Sequence, residues 1–247
     1  MPQLNILRPK IFQPYPAVVA AFSTRVGGVS PGLYGLNLSF NAGDDRLNVI
    51  RNRELFFGRL HIGLDELAIP IQCHSTNIAH VKTPGGFKNS DGLMTKEFGV
   101  FLTVSVADCV PILLYDPVQK AVAILHAGWR GTANGIVKFG LEAMHITFGS
   151  IPANIVACLG PAAGGCCYEV DEEVAQRFSA KVVDRSGLKP RIDLKRANKD
   201  ELVTQGVPGE SIEIYTQCTI HESDLFHSYR RDGKMGGRMM GVIGIVR

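Results

Sequence analysis

The chain has 247 residues, 45% hydrophobic and 20% charged, with a formal net charge of +3; it is long enough for a substantial core and ordinary for a globular protein. Its lysines and arginines are spread without a basic stripe, which excludes a nucleic-acid footprint and a polybasic membrane patch. No apolar run reaches membrane-spanning length and the opening residues lack a charged-then-apolar leader pattern, so a cytoplasmic protein is expected, its six cysteines reduced or metal-bound rather than disulfide-bonded.

From the N-terminus, scattered prolines precede an apolar run at 18–22 that reads as a strand. It delivers Arg25 into a glycine-rich turn, where a guanidinium suits a carboxylate or phosphate; the alternative is a solvated surface arginine. Asn37 follows in a loop. Asp44 is placed to cap a helix running to about Leu60 that contains Asn52 and Arg53. The apolar stretch 67–71 is closed by Gln72, Cys73 and His74, and 78–81 reads as a strand. Turn clusters at 84–86 and 89–92 follow, the second leading through Asp91 and Gly92 to Thr95. His80, ending a short strand without a partner at fixed spacing, is read as exposed.

The segment 100–136, with the outlying Gln72, Cys73 and His74, organises the rest. Runs at 112–115 and 121–125 have strand length, and Asp116 and Pro117 are favoured at the first two positions of a type I turn, so the pair reads as a hairpin. With 116–119 as the loop, Tyr115 pairs with Lys120 and Cys109 falls opposite His126. Side chains so opposed share a face, with Cβ atoms roughly 4.5–5.5 Å apart. Pro111 cannot donate to a ladder and implies an edge or a bulge, and a one-residue slip would turn Cys109 away. Catalytic zinc takes three protein ligands and keeps a position open. His74, which closes its apolar stretch as His126 closes its own, is the best third candidate. Without a Cys-x-x-Cys or His-Glu-x-x-His pattern, buried structural Cys and His residues are the competing reading.

Gly128, Trp129, Arg130 and Gly131 then lead into a helix over 132–148, with Val137, Leu141, Met144 and Phe148 at helical spacing. A strand, a glycine turn and a helix N-terminus present N–H groups to an anion, and Arg130 adds a charge. Neither a Walker loop nor a dinucleotide fingerprint is present, and close packing of helix on strand would also explain the glycines. Further on, 155–159 is a strand. The adjacent Cys166 and Cys167, read as strand neighbours, point to opposite faces, one packed and one peripheral. Asp171 caps a helix containing Val174 and Phe178; 194–205 is a helix ended by Gly206 and Pro208. Ile212 and Ile214 alternate as a strand, and 239–246 is the last one. Arg230, Arg231 and Arg238, in apolar strand-and-turn surroundings, are charge-paired or ligand-facing, a solvated hairpin tip being the alternative. With no repeat, low-complexity tract or linker, 1–247 is expected to form one domain.

Phe22-Ser23-Thr24-Arg25 with Gly27-Gly28-Val29-Ser30, Asn37-Leu38, Asn52-Arg53, Gln72 with His74, and Asp91-Gly92 with Thr95 form one half of a wider pattern. Ala107-Asp108-Cys109 with Pro111, His126-Ala127-Gly128-Trp129-Arg130-Gly131, Gly160-Pro161, Tyr168-Glu169-Val170, Cys218-Thr219, and Ser228-Tyr229-Arg230-Arg231 with Gly237-Arg238 form the other. Together they resemble the YfiH-like laccase-domain family, also called polyphenol oxidase or peptidoglycan editing factor proteins, over nearly the whole chain. The resemblance implies an α+β fold, an α/β/β/α sandwich with mixed sheets, and zinc held by His74, Cys109 and His126. It also implies phosphorolysis of adenosine, inosine and methylthioadenosine, and deamination of adenosine. Cys73, Ser75 and Ala163 depart from the usual residues, and the last two are expected to alter pocket shape.

For deamination, the ion would lower the pKa of a water attacking C6 of adenine. For phosphorolysis, phosphate must be held against C1′ of the ribose, and Arg25, Arg130 and Arg230 are the candidates, with Asn37 and Gln72 also binding substrate. Asp108 orients the nucleoside, moves a proton, or plays a structural part. A copper oxidase is a second reading: seven histidines without a His-x-His do not make a multi-copper centre, but one His2Cys site binds Cu(II) tightly. A third is hydrolysis of an amide on a cytoplasmic cell-wall precursor nucleotide, with the arginines on diphosphate or carboxylate. The expected partners are nucleoside and phosphate, with no nucleic acid or membrane, on a monomer or homodimer.

Overall fold

The computed structural model describes residues 3–247; the first two residues, which the leader and single-domain expectations include, lie outside that range. Two sheets of six strands carry the fold. The first runs β1 (Ile6–Leu7), β2 (Val18–Ser23), β14 (Met239–Ile245), β7 (Phe101–Val106), β3 (Leu67–Ile71), β5 (Gly85–Lys88). The second runs β13 (Ile212–Ile214), β10 (Val156–Leu159), β8 (Val110–Asp116), β9 (Ala121–Ala127), β6 (Gly92–Thr95), β4 (Ile78–His80). A ribbon of β11 (Val183–Asp184) and β12 (Arg191–Ile192) stands apart. Both large sheets are mixed: β3 is parallel to β5 and β7, β10 to β13 and β4 to β6, while the other pairs are antiparallel.

Alternation along the strands assigns side chains to layers. Leu113, Tyr115, Val122 and Ile124 project between the sheets and meet Leu102, Val104 and Ile243. Their neighbours Ile112, Leu114, Ala123 and Leu125 face Val137, Leu141 and Met144 of α3 (Ile136–Phe148). On the other outer face, Ala21, Phe101 and Val242 receive Phe56 and Phe57 of α1 (Arg46–Gly58). The layering is the α/β/β/α sandwich. Strands covered on both faces explain why β8 and β9 read as unbroken apolar runs, and each fully buried large side chain contributes about 1.5–3 kcal/mol.

The hairpin register differs from the expected one. Asp116 pairs with Ala121, so the four-residue loop is one position later and Pro111, not Cys109, lies opposite His126. Asp116 accepts the N–H groups of Val118 and Gln119, and Lys120 takes a left-handed backbone at φ 50°. The pairing therefore shifts by two residues, which preserves side-chain parity and leaves Cys109 on the face of His126. Pro111 is neither at an edge nor in a bulge. Its carbonyl accepts the N–H of Gly160 just past β10, so its missing donor falls where the neighbouring strand has ended.

Three helix expectations are also revised. The helix after β9 is interrupted: α2 (Trp129–Ala133) stops before Gly135, whose φ of 84° separates it from α3. Asp45, not Asp44, caps α1 by accepting from the Leu47 N–H, while Asp44 holds Ser30 and Asn37. Asp171 precedes only the short α4 (Glu172–Ala175), and its carboxylate pairs with Lys189 instead of capping. The next helix, α5 (Leu194–Thr204), falls close to its predicted span.

Candidate metal centre and substrate cleft

Strand ends from both sheets converge on one site. His74 lies three residues past β3, Asp108 and Cys109 occupy the turn between β7 and β8, and His126 is near the end of β9. The ligand atoms of His74, Cys109 and His126 lie within 4.8 Å of one another, and the imidazole rings meet edge-on with centroids 5.0 Å apart. One ion at roughly 2.0–2.3 Å from each donor can bridge such a set. Gly128 makes the room: a Cβ there would stand 2.9 Å from Cys109 Sγ and 3.2 Å from His74 Cδ2. The donor set, two imidazoles and a thiolate, fits a borderline-soft divalent ion.

A fourth residue holds the set in place, and spacing alone did not reveal it. Asp91 is fully buried. Its carboxylate lies 2.8 Å from His126 Nδ1 and accepts the backbone N–H groups of Cys73, His74 and Ser75 together with the Ser75 hydroxyl. With Nδ1 taken by the carboxylate, Nε2 is the nitrogen left for an ion. Burial pushes the Asp91 carboxyl up, but the His126 ring and the Ser75 donors outweigh it and hold it well below the usual carboxylate range. Burial likewise opposes a Cys109 thiolate, and His126 and His74 overcome it, so the thiol is shifted down. His126 is shifted up against its own desolvation by the Cys109 charge and by Asp91. The signal that locates Asp91 is tertiary: β6 begins at Gly92 opposite Leu125, which places Asp91 beside His126.

Two of the site residues have left-handed backbones, His74 at φ 60° and Asp108 at φ 86°. Such conformations cost of order 1–3 kcal/mol each and persist where surroundings enforce them. For His74 the Asp91 carboxylate does so. For Asp108, Oδ1 accepts the Thr219 hydroxyl at 2.7 Å and Oδ2 the Arg230 N–H at 2.7 Å.

The site opens into a cleft of about 1020 Å³. The three ligands, Gln72, Asp108, Arg130 and Arg230 line it, with Arg53, Arg238, Phe40, Trp129, Tyr168 and Tyr229. Arg130 is exposed and stacks on Trp129 at 4.4 Å from the ring centroid. Arg230 stacks on Tyr168 at 4.4 Å, while its guanidinium donates to the Glu169 carbonyl. Arg238, one of the arginines read as charge-paired or ligand-facing, lies 5.2 Å from the Tyr229 centroid, and burial shifts its pKa down. Gln72 lines the wall with its amide committed to both backbone groups of Ser105.

Two sequence-predicted substrate residues stand elsewhere. The guanidinium of Arg25 donates to the carbonyls of Ser223 and Leu33, clamping two loops outside the cleft lining. Asn37 is buried and knits Ser39, Asp44 and the Arg238 N–H together. The departures at Cys73 and Ser75 turn toward Asp91, and Ala163 is buried; none of the three lines the cleft. The anion reading at the start of the helix also changes, since α2 has only five residues and Arg130, not a long helix dipole, supplies the charge.

The family model of the multi-copper polyphenol oxidoreductase laccase matches residues 19–246. The chain belongs to this laccase-like family. Purine nucleoside phosphorylase YlmD of Geobacillus stearothermophilus is 36% identical over 250 residues, covering 94% of this chain and 91% of that protein. Adenosine deaminase RL5, from an unknown prokaryotic organism, is 35% identical over 240 residues, covering 89% and 91%. The crystal structure of YlmD from Geobacillus stearothermophilus matches with a TM-score of 0.90 at 34% identity, over 95% of this chain and 94% of that one. Proteins similar to this laccase-like chain thus carry the names of nucleoside enzymes, and the two-sheet fold is shared. Among the described residues no helix is long and apolar enough to cross a membrane.

Proposed function

We propose that the cleft is the active site of a zinc-dependent purine nucleoside enzyme, which cleaves adenosine, inosine and methylthioadenosine with phosphate and deaminates adenosine. The observation that carries this reading is the convergence of His74, Cys109 and His126 in a cleft that is also lined by aromatic rings and arginines. The names of the similar proteins support the substrate class.

Each part of the cleft has a chemical task. The faces of Trp129, Tyr168 and Tyr229 suit a planar purine. Arg130, Arg230 and Arg238 suit phosphate, whose oxygens match a guanidinium fork. Phosphorolysis forms a bond from a phosphate oxygen to C1′ of the ribose as the bond from C1′ to the base nitrogen breaks. Arginines that hold phosphate in line reduce the entropic cost of that displacement. Both carboxylate oxygens of Asp108 are engaged by Thr219 and the Arg230 N–H, which supports a positioning role: Asp108 fixes the turn bearing Cys109 and the backbone bearing Arg230. A zinc ion held by the three ligands supplies Lewis-acid polarisation when bound.

The deciding experiment is chromatography of products from zinc-loaded protein and adenosine, with and without phosphate, beside a metal-stripped control. Adenine formed only with phosphate and zinc establishes the phosphorylase, and inosine formed without phosphate adds the deaminase. Cys109→Ala and His126→Ala are expected to abolish both activities along with metal. Retained phosphorolysis in metal-free variants would overturn the zinc assignment. The His2Cys donor set also suits Cu(II), the second reading that the family's description favours; stoichiometric copper with an intense thiolate charge-transfer band would select it. No nucleoside product and no copper would direct attention to an amide on a cell-wall precursor nucleotide.

A further inference from the structure

A second cluster of ligand side chains lies outside the cleft lining. Cys166, Cys167 and Cys218 keep their sulfurs within 4.8 Å of one another, although 166 and 167 are adjacent in sequence and would diverge in an extended strand. They are not extended. The N–H groups of Cys167 and Tyr168 both donate to the Gly164 carbonyl, at 2.9 and 3.0 Å, closing a tight turn that leaves the two sulfurs 3.4 Å apart.

The third sulfur is brought in by a separate segment. Ala162 and Cys218 form a parallel bridge, the Thr219 N–H donates to the Ala162 carbonyl, and the Cys218 N–H donates to Glu222. Cys218 Sγ then accepts the Gly164 N–H at 3.2 Å. Gly164 keeps the space open: a Cβ there would stand 3.2 Å from Cys166 Sγ and 3.4 Å from Cys218 Sγ. Cys166 and Cys218 open on a cleft of about 580 Å³ lined also by Lys195, Arg196 and Lys199, whose three positive charges outnumber the carboxylates of Asp193 and Asp200 there. Lys195 Nζ is fixed on the carbonyls of Tyr215 and Gln217, close to Cys218 in the chain.

We propose that Cys166, Cys167 and Cys218 form a second metal site, a three-thiolate pocket for Cu+. An ion roughly 2.3 Å from each sulfur sets the sulfurs about 4 Å apart, a spacing this cluster reaches by small rotamer changes. The three ligand atoms gathered here are all sulfur, with no imidazole in the lining, and a sulfur-only set selects a soft ion. Structural zinc is closed by four protein ligands, and the nearby Asp193 already caps α5 by accepting the Arg196 N–H. An ion here ties the turn before Tyr168, which lines the large cleft, to the segment of Thr219, which holds Asp108.

The test is an anaerobic Cu+ titration of the reduced full chain against a chromogenic Cu+ chelator. A Cys109→Ala background removes the first site. About one Cu+ per chain is expected to remain, and adding Cys166→Ser, at an exposed position, should weaken its retention about 100-fold. Cys218→Ser should do the same, with thermal melting to check folding, so that loss in both variants cannot be attributed to unfolding of one. No Cu+ retained in the Cys109→Ala background, unchanged retention in Cys166→Ser, or displacement of Cu+ by equimolar Zn2+ would each overturn the proposal. Because activity is not the readout, its failure is distinct from failure of the nucleoside assignment.

Discussion

The two clusters, His74 with Cys109 and His126 and Cys166 with Cys167 and Cys218, have similar dimensions and different surroundings. Both keep their ligand atoms within 4.8 Å, and both depend on a glycine whose Cβ would crowd a sulfur. The first stands at strand ends, is braced by the buried Asp91 carboxylate, and opens among aromatic rings and arginines. The second stands on loops, is braced by a backbone N–H, and opens beside lysines, with no aromatic ring of the described residues in its lining. Grouping ligands is thus not what makes a reaction site. Among the described residues, only the first opens on a cleft lined by aromatic rings, the feature on which the proposed substrate binding rests, and the all-sulfur cluster suits holding an ion.

The largest expected effect breaks the brace that distinguishes the first cluster. Asp91→Ala leaves three N–H groups and the His126 ring without their common acceptor, so a loss of about 3–5 kcal/mol in unfolding free energy is expected, together with the metal. Urea denaturation and elemental analysis check it; an unchanged midpoint would make Asp91 dispensable. Acidification must be separated from either cluster, because His227 is fully buried with neither ring nitrogen partnered among the described residues. Burial, reinforced by Arg25, pushes its pKa down to about 3. The unfolded chain therefore binds the proton first, and stability falls by a few kcal/mol as pH drops from about 6.5 toward 3. His227→Phe should flatten that limb in denaturation curves measured across this range.

The two glycines give the next test. Gly128→Ala should cost about 1–2 kcal/mol of stability and about tenfold in metal affinity at the first cluster. Gly164→Ala, with looser contacts, should act on Cu+ retention at the second. Equal effects of Gly128→Ala on both ions would mean that the clusters are not independent. The smallest effect distinguishes two arginines that sequence reasoning treated alike. Arg130→Ala should raise the KM for phosphate about tenfold, whereas Arg25→Ala should leave it in place and cost about 1 kcal/mol of stability by releasing two carbonyls.

Much of this was legible in the chain. Runs of apolar residues located β2, β8, β9 and β14 because strands covered on both faces have little tolerance for polar side chains. The hairpin that brings Cys109 near His126 was legible too. Its register was not, because Asp116 and Lys120 decide the turn by side-chain hydrogen bonds and a left-handed backbone that composition does not announce. Asp91 escaped because its partners are scattered from 73 to 126, and Cys166 with Cys167 was misread because a turn replaced the expected strand.

The sequence by itself determined a mixture of strands and helices and the segments that carry the candidate ligands, since hydrophobic period and residue chemistry are local properties; the layered sandwich and the full ligand set came from the resemblance of its motifs to a family. Tertiary structure decided which arginines face the cleft and which spend their donors on carbonyls. It also selected the carboxylate that orients His126 and brought together three cysteines separated by up to 52 positions. These are choices between hydrogen-bond partners of nearly equal intrinsic strength, and only the packing of one segment against another settles which partner is within reach.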